Sequence, residues 1–196
     1  MITFQKIRWK NFLSTGDHFS EIDFIKNGTN LIVGTNGTGK STVLDALTFS
    51  LFNKPFRKIN KSQLINATNE KDCLVEVEFN INGKQYLVRR SIKPNLFEIE
   101  VDSQKMHKQS DDRAMQKILE ENILKVNYKS FTQIVILGSS AFVPFMQLSG
   151  SNRREVIEDL LDIRIFSAMN TIIKDKIRKQ KDEIQVLDLK KDNVKD

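Results

Sequence analysis

Residues 31–42 read Leu31-Ile32-Val33-Gly34-Thr35-Asn36-Gly37-Thr38-Gly39-Lys40-Ser41-Thr42, a glycine-rich turn between two apolar segments. The first segment is a short apolar run typical of a β-strand, and residues 43–52 carry apolar side chains at helical spacing. Glycine permits backbone conformations and close approaches that a Cβ atom would obstruct. Backbone N–H groups at the positive end of the following helix can therefore surround a phosphate. The whole pattern is a P-loop, which predicts a binding site for a nucleoside triphosphate.

Two side chains of this loop have the chemistry that such a site needs. Lys40 would reach the β- and γ-phosphates, and the Ser41 hydroxyl would ligate Mg²⁺. The alternative is a glycine turn that matches the pattern by chance, and the strand and helix on either side argue against it. We therefore expect ATP and Mg²⁺ as cofactors.

The composition limits the remaining classes of protein. The 196 residues suffice for one domain and an appendage, and no apolar run approaches the ~18–20 residues that a membrane span needs. Cys73 is the only cysteine, which excludes a disulfide framework and a cysteine-based metal site. The first residues lack the apolar region of a signal peptide, so we expect a cytoplasmic protein. The net charge of +6 fits a DNA-binding surface and a mixed solvated surface equally well.

The first half of the chain has the alternation of a mixed sheet. Strands are predicted at residues 2–9, 19–25, 29–33, 74–81, 85–92 and 96–101, with a helix at 40–52. The last three strands form an antiparallel meander with one polar face, in which Asn82-Gly83 is a strong hairpin signal. Arg89 and Arg90 are adjacent in the middle strand, so one of them must face away from the core.

The last third of the chain is predicted to be mainly helical. Asp111 and Asp112 are candidate caps for a helix through residue 123, a strand buried on both faces is predicted at 131–137, and a capped helix follows at 153–162. Positions then recur at steps of four and three residues, apolar with three polar interruptions: Phe166, Asn170, Ile173, Ile177, Gln180, Ile184, Leu187, Lys191 and Val194. This spacing predicts one seam of a coiled coil, and the alternative is a single amphipathic surface helix.

Two parts that a P-loop ATPase needs are missing from the sequence after Ser41. No apolar strand ends in an acidic pair, and no Leu-Ser-Gly-Gly-type loop is present. The seam also requires a partner helix that this sequence does not contain. These gaps predict the front half of an α/β ATPase head, with its lobe at residues 1–163 and the base of an outgoing coiled-coil helix at 164–196.

Several stretches resemble the N-terminal half of the SMC-like ATPases. The residues shared with the whole superfamily are Lys10-Asn11-Phe12 and the P-loop with the Leu44-Asp45-Ala46 that follows it. Further stretches narrow the resemblance to ATPases of the SbcC type, and most closely to the ATPase subunits of T-even phage recombination endonucleases: Lys54–Ala67, Lys93–Ile99 and Phe131–Phe166. In this family a long antiparallel coiled coil splits an ABC-type head into two halves. The resemblance implies the mixed α/β fold of such a head.

The resemblance also implies a mechanism and partners. Two heads sandwich two ATP molecules, each site joining the P-loop of one head to the signature loop of the other, and hydrolysis reopens the dimer. A metallo-nuclease of the SbcD type docks at the coiled-coil base, here roughly residues 166–184, and double-stranded DNA ends lie on the closed heads. This chain would be the N-terminal half of the ATPase subunit of a DNA double-strand-break repair nuclease, weak or inactive alone, in the host cytoplasm if phage-encoded. An SMC-like DNA clamp or tether without nuclease control is the alternative function.

Nucleotide contacts follow from the resemblance residue by residue. The phosphates would be held by Asn36, Gly37, Thr38, Gly39, Lys40, Ser41 and Thr42, with Lys10, Asn11 and Ser14 near the nucleotide and Ile65, Asn66 and Ala67 on the adenine side. Relatives also carry a glutamine that touches Mg²⁺ and the attacking water, and alignment puts Ser139 in that place, whereas Gln133 lies too early. Lys40 and Ser139 are thus the expected catalytic residues, and Ser41 and Ser139 the expected Mg²⁺ ligands. Leu13 stands where relatives often carry a basic residue.

Overall fold

The computed structural model describes residues 2–26, 29–106, 111–136, 145–161 and 163–192. The chain divides into two units, Met1–Gln147 and Leu148–Asp196. The first unit contains a β-sheet with its covering helices, and the second contains two further helices.

A six-stranded antiparallel sheet organises the first unit. Its strands are β1 (Ile2–Lys10), β2 (Ser20–Asp23), β3 (Cys73–Ile81), β4 (Lys84–Ile92), β5 (Leu96–Val101) and β6 (Gln104–Lys105), in the spatial order β2-β1-β3-β4-β5-β6. Every neighbouring pair is antiparallel. The predicted meander is therefore confirmed, and β1 joins it alongside β3. The mixed sheet expected from the sequence is instead antiparallel throughout its described strands.

The turn between β3 and β4 has the geometry that its sequence demands. Asn82 and Gly83 both have positive φ, at 51° and 83°, which matches the twist of a two-residue hairpin. The Gly83 N–H donates a hydrogen bond of 3.0 Å to Asn80 Oδ1. This turn fixes the register of β3 against β4 along the whole hairpin.

One face of the sheet forms the core beneath helix α1 (Thr42–Phe52). Ile7, Val77, Val88 and Ile99 lie in register across β1, β3, β4 and β5, and all four are fully buried. Helix α1 buries Phe49 against this layer. Each such side chain contributes roughly 1.5–3 kcal/mol when it leaves water, so this layer holds α1 on the sheet.

The opposite face carries a row of ion pairs across four strands. Arg8 of β1 pairs with Glu76 of β3, and Arg89 Nε of β4 lies 2.8 Å from Glu76 Oε1. Arg89 Nη1 lies 2.5 Å from Glu100 Oε1 of β5. Arg89 is therefore the member of its pair that faces away from the core, and Arg90 is buried.

The strand predicted at residues 29–33 is not formed. The side chains of Leu31 and Val33 are 87% and 79% exposed, and no strand within the described residues pairs with this segment. A strand needs a neighbour to satisfy its N–H and C=O groups, so an apolar run without one stays irregular.

The strand predicted at residues 131–137 is also wrong over residues 131–136, and residue 137 lies outside the described residues. Residues Tyr128–Ile134 form helix α3. The side chain of its N-cap residue, Asn127, accepts a 2.8 Å hydrogen bond from the Ser130 N–H. Phe131 is buried whereas Val135 is 47% exposed, so the run has one buried face. A short apolar run fits a strand and a buried helical turn equally well, and the cap decides for the helix here.

Helix α2 (Asp112–Lys117) begins where the sequence predicts. The Asp111 side chain accepts a hydrogen bond from the Arg113 N–H, at 3.1 Å. The helix continues as a π-helical segment, Ile118–Leu124, which ends at Lys125 in the left-handed conformation.

The second unit consists of helices α4 (Gly150–Leu160) and α5 (Arg164–Asp192). Helix α5 has 29 residues, and its seam positions Ile173, Ile177 and Ile184 are each about half exposed. None of the described helices has the length and apolarity that a membrane span requires.

Candidate nucleotide-binding site

The glycine-rich loop leads directly into α1, as the sequence predicts. Gly39 has φ of +92°, a conformation that residues with side chains rarely adopt. At Gly34, an added Cβ atom would lie 2.6 Å from Thr38 Oγ1. The backbone at Gly39 therefore favours glycine, whereas a side chain at position 34 would force Thr38 to shift. Residues 34–38 are exposed at the N-terminal end of the helix. This cradle fits a phosphate group, because N–H groups at a helix N-terminus favour anions.

The two predicted ligand-binding side chains flank the start of α1. Lys40 folds over the loop, where its Nζ donates to the carbonyl oxygens of Gly34 at 2.8 Å and Thr35 at 2.7 Å. Ser41 occupies the cap position of α1, and its side chain makes no capping hydrogen bond. Ser41 is exposed, so its hydroxyl oxygen is accessible to a ligand.

A cavity of about 400 Å³ opens beside the loop. This volume lies within the usual range for small-molecule sites, which is roughly 300–1,000 Å³. Its lining combines the loop with apolar side chains from β1, β2 and α1: Trp9, Ile22, Ile32, Val33, Gly34, Thr38, Gly39, Lys40 and Val43.

The turn after β1 lies against the P-loop. Ser14 Oγ lies 3.7 Å from the position that a Cβ atom on Gly39 would take. Asn11, at the start of this turn, is buried with a positive φ of 50°. The structure thus brings Ser14 next to the glycine-rich loop, and its contact with the nucleotide stays a prediction.

Asn11 and Asn66 join two loops that are distant in sequence. Asn11 Nδ2 donates to Asp17 Oδ1 at 3.0 Å, and Asn11 Oδ1 accepts from Asn69 Nδ2 at 2.6 Å. Asn66 Nδ2 donates to the Leu13 carbonyl oxygen at 3.0 Å. Both side chains therefore hold residues 11–17 against residues 64–69, next to the P-loop.

The remaining predicted contacts occupy different environments. Lys10 Nζ lies 3.3 Å from Asp17 Oδ1 and 5.6 Å from the centre of the Phe19 ring, and its hydrogen bond and charge lower the pKa of Asp17. Ile65 forms a bridge with Phe12, and Ala67 is exposed. Thr42 is buried in the first turn of α1. Their nucleotide contacts stay predictions.

The family described as AAA domain matches residues 6–196 of this chain. The chain belongs to that family. It is 43% identical over 189 residues to exonuclease subunit 2 of Escherichia phage RB69, an alignment that covers 96% of this chain and 34% of the relative. It is 31% identical over 194 residues to the SbcC subunit of the SbcCD nuclease from Clostridium acetobutylicum, covering 89% of this chain and 16% of that protein.

An archaeal relative points to the same group of ATPases. The DNA double-strand break repair Rad50 ATPase of Thermoplasma volcanium is 27% identical over 179 residues, which cover 88% of this chain and 19% of that protein. The resemblance to SbcC-type, SMC-like ATPases is therefore confirmed. The chain spans about a third of the phage relative's length and less than a fifth of the other two.

A solved structure supports the fold of this AAA domain. It comes from work on ATP-driven dimerization and DNA-stimulated activation of SMC ATPases, and it matches with a TM-score of 0.56 at 25% identity. The match covers 81% of this chain and 99% of that structure. The predicted mixed α/β fold of an ABC/SMC-type ATPase head lobe is thus confirmed.

The two candidates for the glutamine-like role in this domain differ in what the structure says of them. Ser139 lies outside the described residues. Gln133 belongs to α3, and its Oε1 atom is buried without a hydrogen-bond partner among the described residues. The assignment of Ser139 stays a prediction.

Sequence reasoning missed two features near the P-loop. Trp9, the only tryptophan, lines the cavity, and its Nε1 donates to Thr15 Oγ1 at 3.0 Å. Asp45 of α1 is fully buried and accepts from the backbone N–H of Arg57 at 2.9 Å and from its Nε at 2.6 Å. The sequence signal for the contact between Asp45 and Arg57 was the presence of an acidic residue among the apolar positions of α1.

Proposed function

We propose that this chain is the nucleotide-binding N-terminal lobe of the ATPase subunit of a DNA double-strand-break repair nuclease. The names of the phage, SbcC-type and Rad50 relatives support this function. The observation that carries the nucleotide site is the cradle of Gly34 and Gly39 at the N-terminus of α1. The chain's basic net charge of +6 is compatible with DNA as a partner.

ATP and Mg²⁺ would be held by the loop and its neighbours. Residues 36–42 would hold the phosphates, with Lys40 at the β- and γ-phosphates and Ser41 as an Mg²⁺ ligand. Mg²⁺ would neutralise charge on the phosphates. Lys10, Asn11 and Ser14 would border the nucleotide, and residues 65–67 would lie on its adenine side. Asn11 would act by holding the two loops together, since both ends of its amide are already hydrogen-bonded.

The same proposal names the partners. A C-terminal lobe would complete the head, a second head would dimerise with it around ATP, and a metallo-nuclease would dock at the base of α5, near residues 166–184. Linear double-stranded DNA ends would bind the closed heads. The apolar side chains at the seam positions of α5 are about half exposed. Exposed apolar surface of this kind commonly marks an interaction site, which supports a partner helix.

The test is ATP hydrolysis by this chain combined with its C-terminal lobe and the candidate nuclease, with and without linear duplex DNA. We expect turnover that DNA stimulates and that Lys40→Ala abolishes. Lys84→Ala, an exposed lysine at the hairpin, is the matched control and should leave turnover unchanged. Turnover that responds to neither DNA nor the nuclease would favour the SMC-like tether. An active Lys40→Ala protein would contradict the nucleotide site.

A second comparison tests the assignment of Ser139 as an Mg²⁺-binding catalytic residue. In the same assembly, Ser139→Ala should reduce ATP turnover more than Gln133→Ala does. Equal losses would remove Ser139 from that role.

A further inference from the structure

Arg90 places a guanidinium group inside the core of the first unit. Its side chain is 5% exposed on the inner face of β4 and stacks on Phe97, with the guanidinium carbon 3.7 Å from the ring centre. Arg90 Nε donates to the carbonyl oxygen of Ser50 at 2.9 Å. Arg90 Nη2 donates to Gln116 Oε1 at 2.6 Å.

Gln116 of α2 extends this contact to the next carbonyl of α1. Its Nε2 donates to the Leu51 carbonyl oxygen at 2.9 Å. Carbonyl groups in the last turn of a helix have no partner within the helix, so side chains must satisfy them when they are buried. Arg90 and Gln116 together satisfy two successive carbonyls at the C-terminal end of the P-loop helix.

The charge at this position suits the helix end. The C-terminus of a helix carries partial negative charge and favours a cation, yet the last turn of α1 contains no basic residue. Arg90 supplies that cation from β4, and Asp112 and Glu120 attract it through space. Burial lowers the pKa of Arg90 to about 9, so it stays cationic at neutral pH.

Burying a guanidinium group in a core costs free energy, because the charge loses its contact with water. Both hydrogen bonds described for Arg90 end on neutral oxygens, and a buried charge with neutral partners costs more than an apolar side chain of similar size. The cost points to a role that an apolar side chain does not perform, namely holding the end of α1 at a fixed position.

We propose that Arg90 and Gln116 are positioning residues that fix the P-loop helix from its C-terminal end and so hold the phosphate-binding loop at the other end. This inference rests on the proposed nucleotide site. Helix α1 has 11 residues, which makes it a rod of about 16 Å, so a displacement at Ser50 is transmitted to Ser41. Because Gln116 belongs to α2, the same contacts tie the nucleotide loop to residues 112–124.

The test compares two neighbouring arginines of β4 in the assembly of this chain with its C-terminal lobe and nuclease. Arg90→Met should raise KM for ATP about tenfold, with kcat at saturating ATP within about twofold, because loop position affects ground-state and transition-state binding alike. Arg89→Met changes the same residue type on the opposite face and should leave KM within about twofold. Thermal unfolding of both variants separates loss of stability from loss of affinity.

Three further variants complete the test. Gln116→Leu should raise KM to a similar extent, and the double variant with Arg90→Met should be no worse than Arg90→Met alone, because the two residues act as a unit. Arg90→Lys keeps the cation and should recover part of the affinity. If Arg90→Met and Arg89→Met have the same KM while Lys40→Ala abolishes turnover, only the positioning role is wrong. If Lys40→Ala keeps its turnover, the nucleotide site itself is wrong.

Discussion

Two apolar segments of similar composition have opposite fates in this molecule. Val75 and Val77 of β3 are fully buried between β1 and β4, whereas Leu31 and Val33 ahead of the P-loop are 87% and 79% exposed. Both segments favour strands by residue type. The difference is that β3 has a neighbour on each side, and residues 31–33 have none within the described chain.

This contrast separates a closed region from an open one. Neighbouring strands of the sheet pair their backbone groups with one another, and the sheet and α1 bury most of their apolar side chains in one core. Residues 31–33 expose apolar side chains that no described residue of the first unit buries. The seam of α5 likewise exposes apolar side chains that no described residue of the second unit buries. Such surface on a folded protein commonly marks an interaction site. The contrast therefore predicts that substitutions in the two regions affect different measurements.

The largest expected effect lies in the closed region. Phe79 of β3 is fully buried. Its ring meets the Phe4 ring edge-on, with 5.9 Å between the ring centres, and stacks on the Tyr86 ring, with 5.3 Å between the ring centres. Phe79→Ala should lower the free energy of unfolding by about 3–5 kcal/mol, because it removes buried surface and leaves a cavity. Urea unfolding monitored by circular dichroism measures this loss. A loss below about 1 kcal/mol would mean that the region is not packed as described.

Removing a charge should also lower the free energy of unfolding more in the closed region than at the surface, by less than the loss of a buried aromatic ring. Asp45 is fully buried, and its Oδ2 atom lies 2.6 Å from Nη2 of Arg57. Asp45→Asn should therefore lower the free energy of unfolding by about 2 kcal/mol. The value is below that of a fully buried pair because Arg57 is half exposed and water can solvate it. The matched control is Glu121→Gln, whose partner Lys117 lies 3.9 Å away at the surface, and it should change stability by less than about 0.5 kcal/mol. Equal losses in the two variants would remove the distinction.

The sequence predicts the glycine-rich loop and the closed region well because their signals are local. The glycine-rich loop, the Asn82-Gly83 turn and the alternation of β3 to β5 each act within a few residues. The failures come from non-local causes. Residues 29–33 have no neighbouring strand among the residues that the structure describes, and the Asn127 cap outweighed strand propensity in α3. Contacts such as Arg90 to the Ser50 carbonyl, 40 residues away, have no local pattern from which they could be inferred.

Alkaline pH should weaken the closed region through its buried thiol. Burial raises the pKa of Cys73 to about 12, above its ordinary value of 9.0. Between these values the folded protein keeps a proton that the unfolded chain loses, so the contribution of the thiol to stability is complete below pH 9 and falls as pH rises. At pH 10 the loss due to the thiol should be about 1.4 kcal/mol, measured as the difference between the wild type and Cys73→Val. Denaturant unfolding at pH 8 and pH 10 measures it, and Cys73→Val should abolish this part of the slope. A wild-type slope identical to that of Cys73→Val would show that the thiol is not shielded.

The smallest effect on stability is expected in the open region, and it makes the comparison sharpest. The double substitution Leu31→Ser and Val33→Ser should change the unfolding free energy of this chain by less than about 0.5 kcal/mol, because both side chains are already in water. The same variant should bind a C-terminal lobe at least about tenfold more weakly, since the loss of two apolar side chains from an interface costs more than about 1.4 kcal/mol. Titration calorimetry with the isolated lobe measures this affinity.

Lys84→Ser, at the exposed hairpin far along the sheet, serves as the control for surface substitution. A large loss of stability would place residues 31–33 in the closed region after all, and unchanged affinity would mean that the exposed run is covered by something other than the other half of the head.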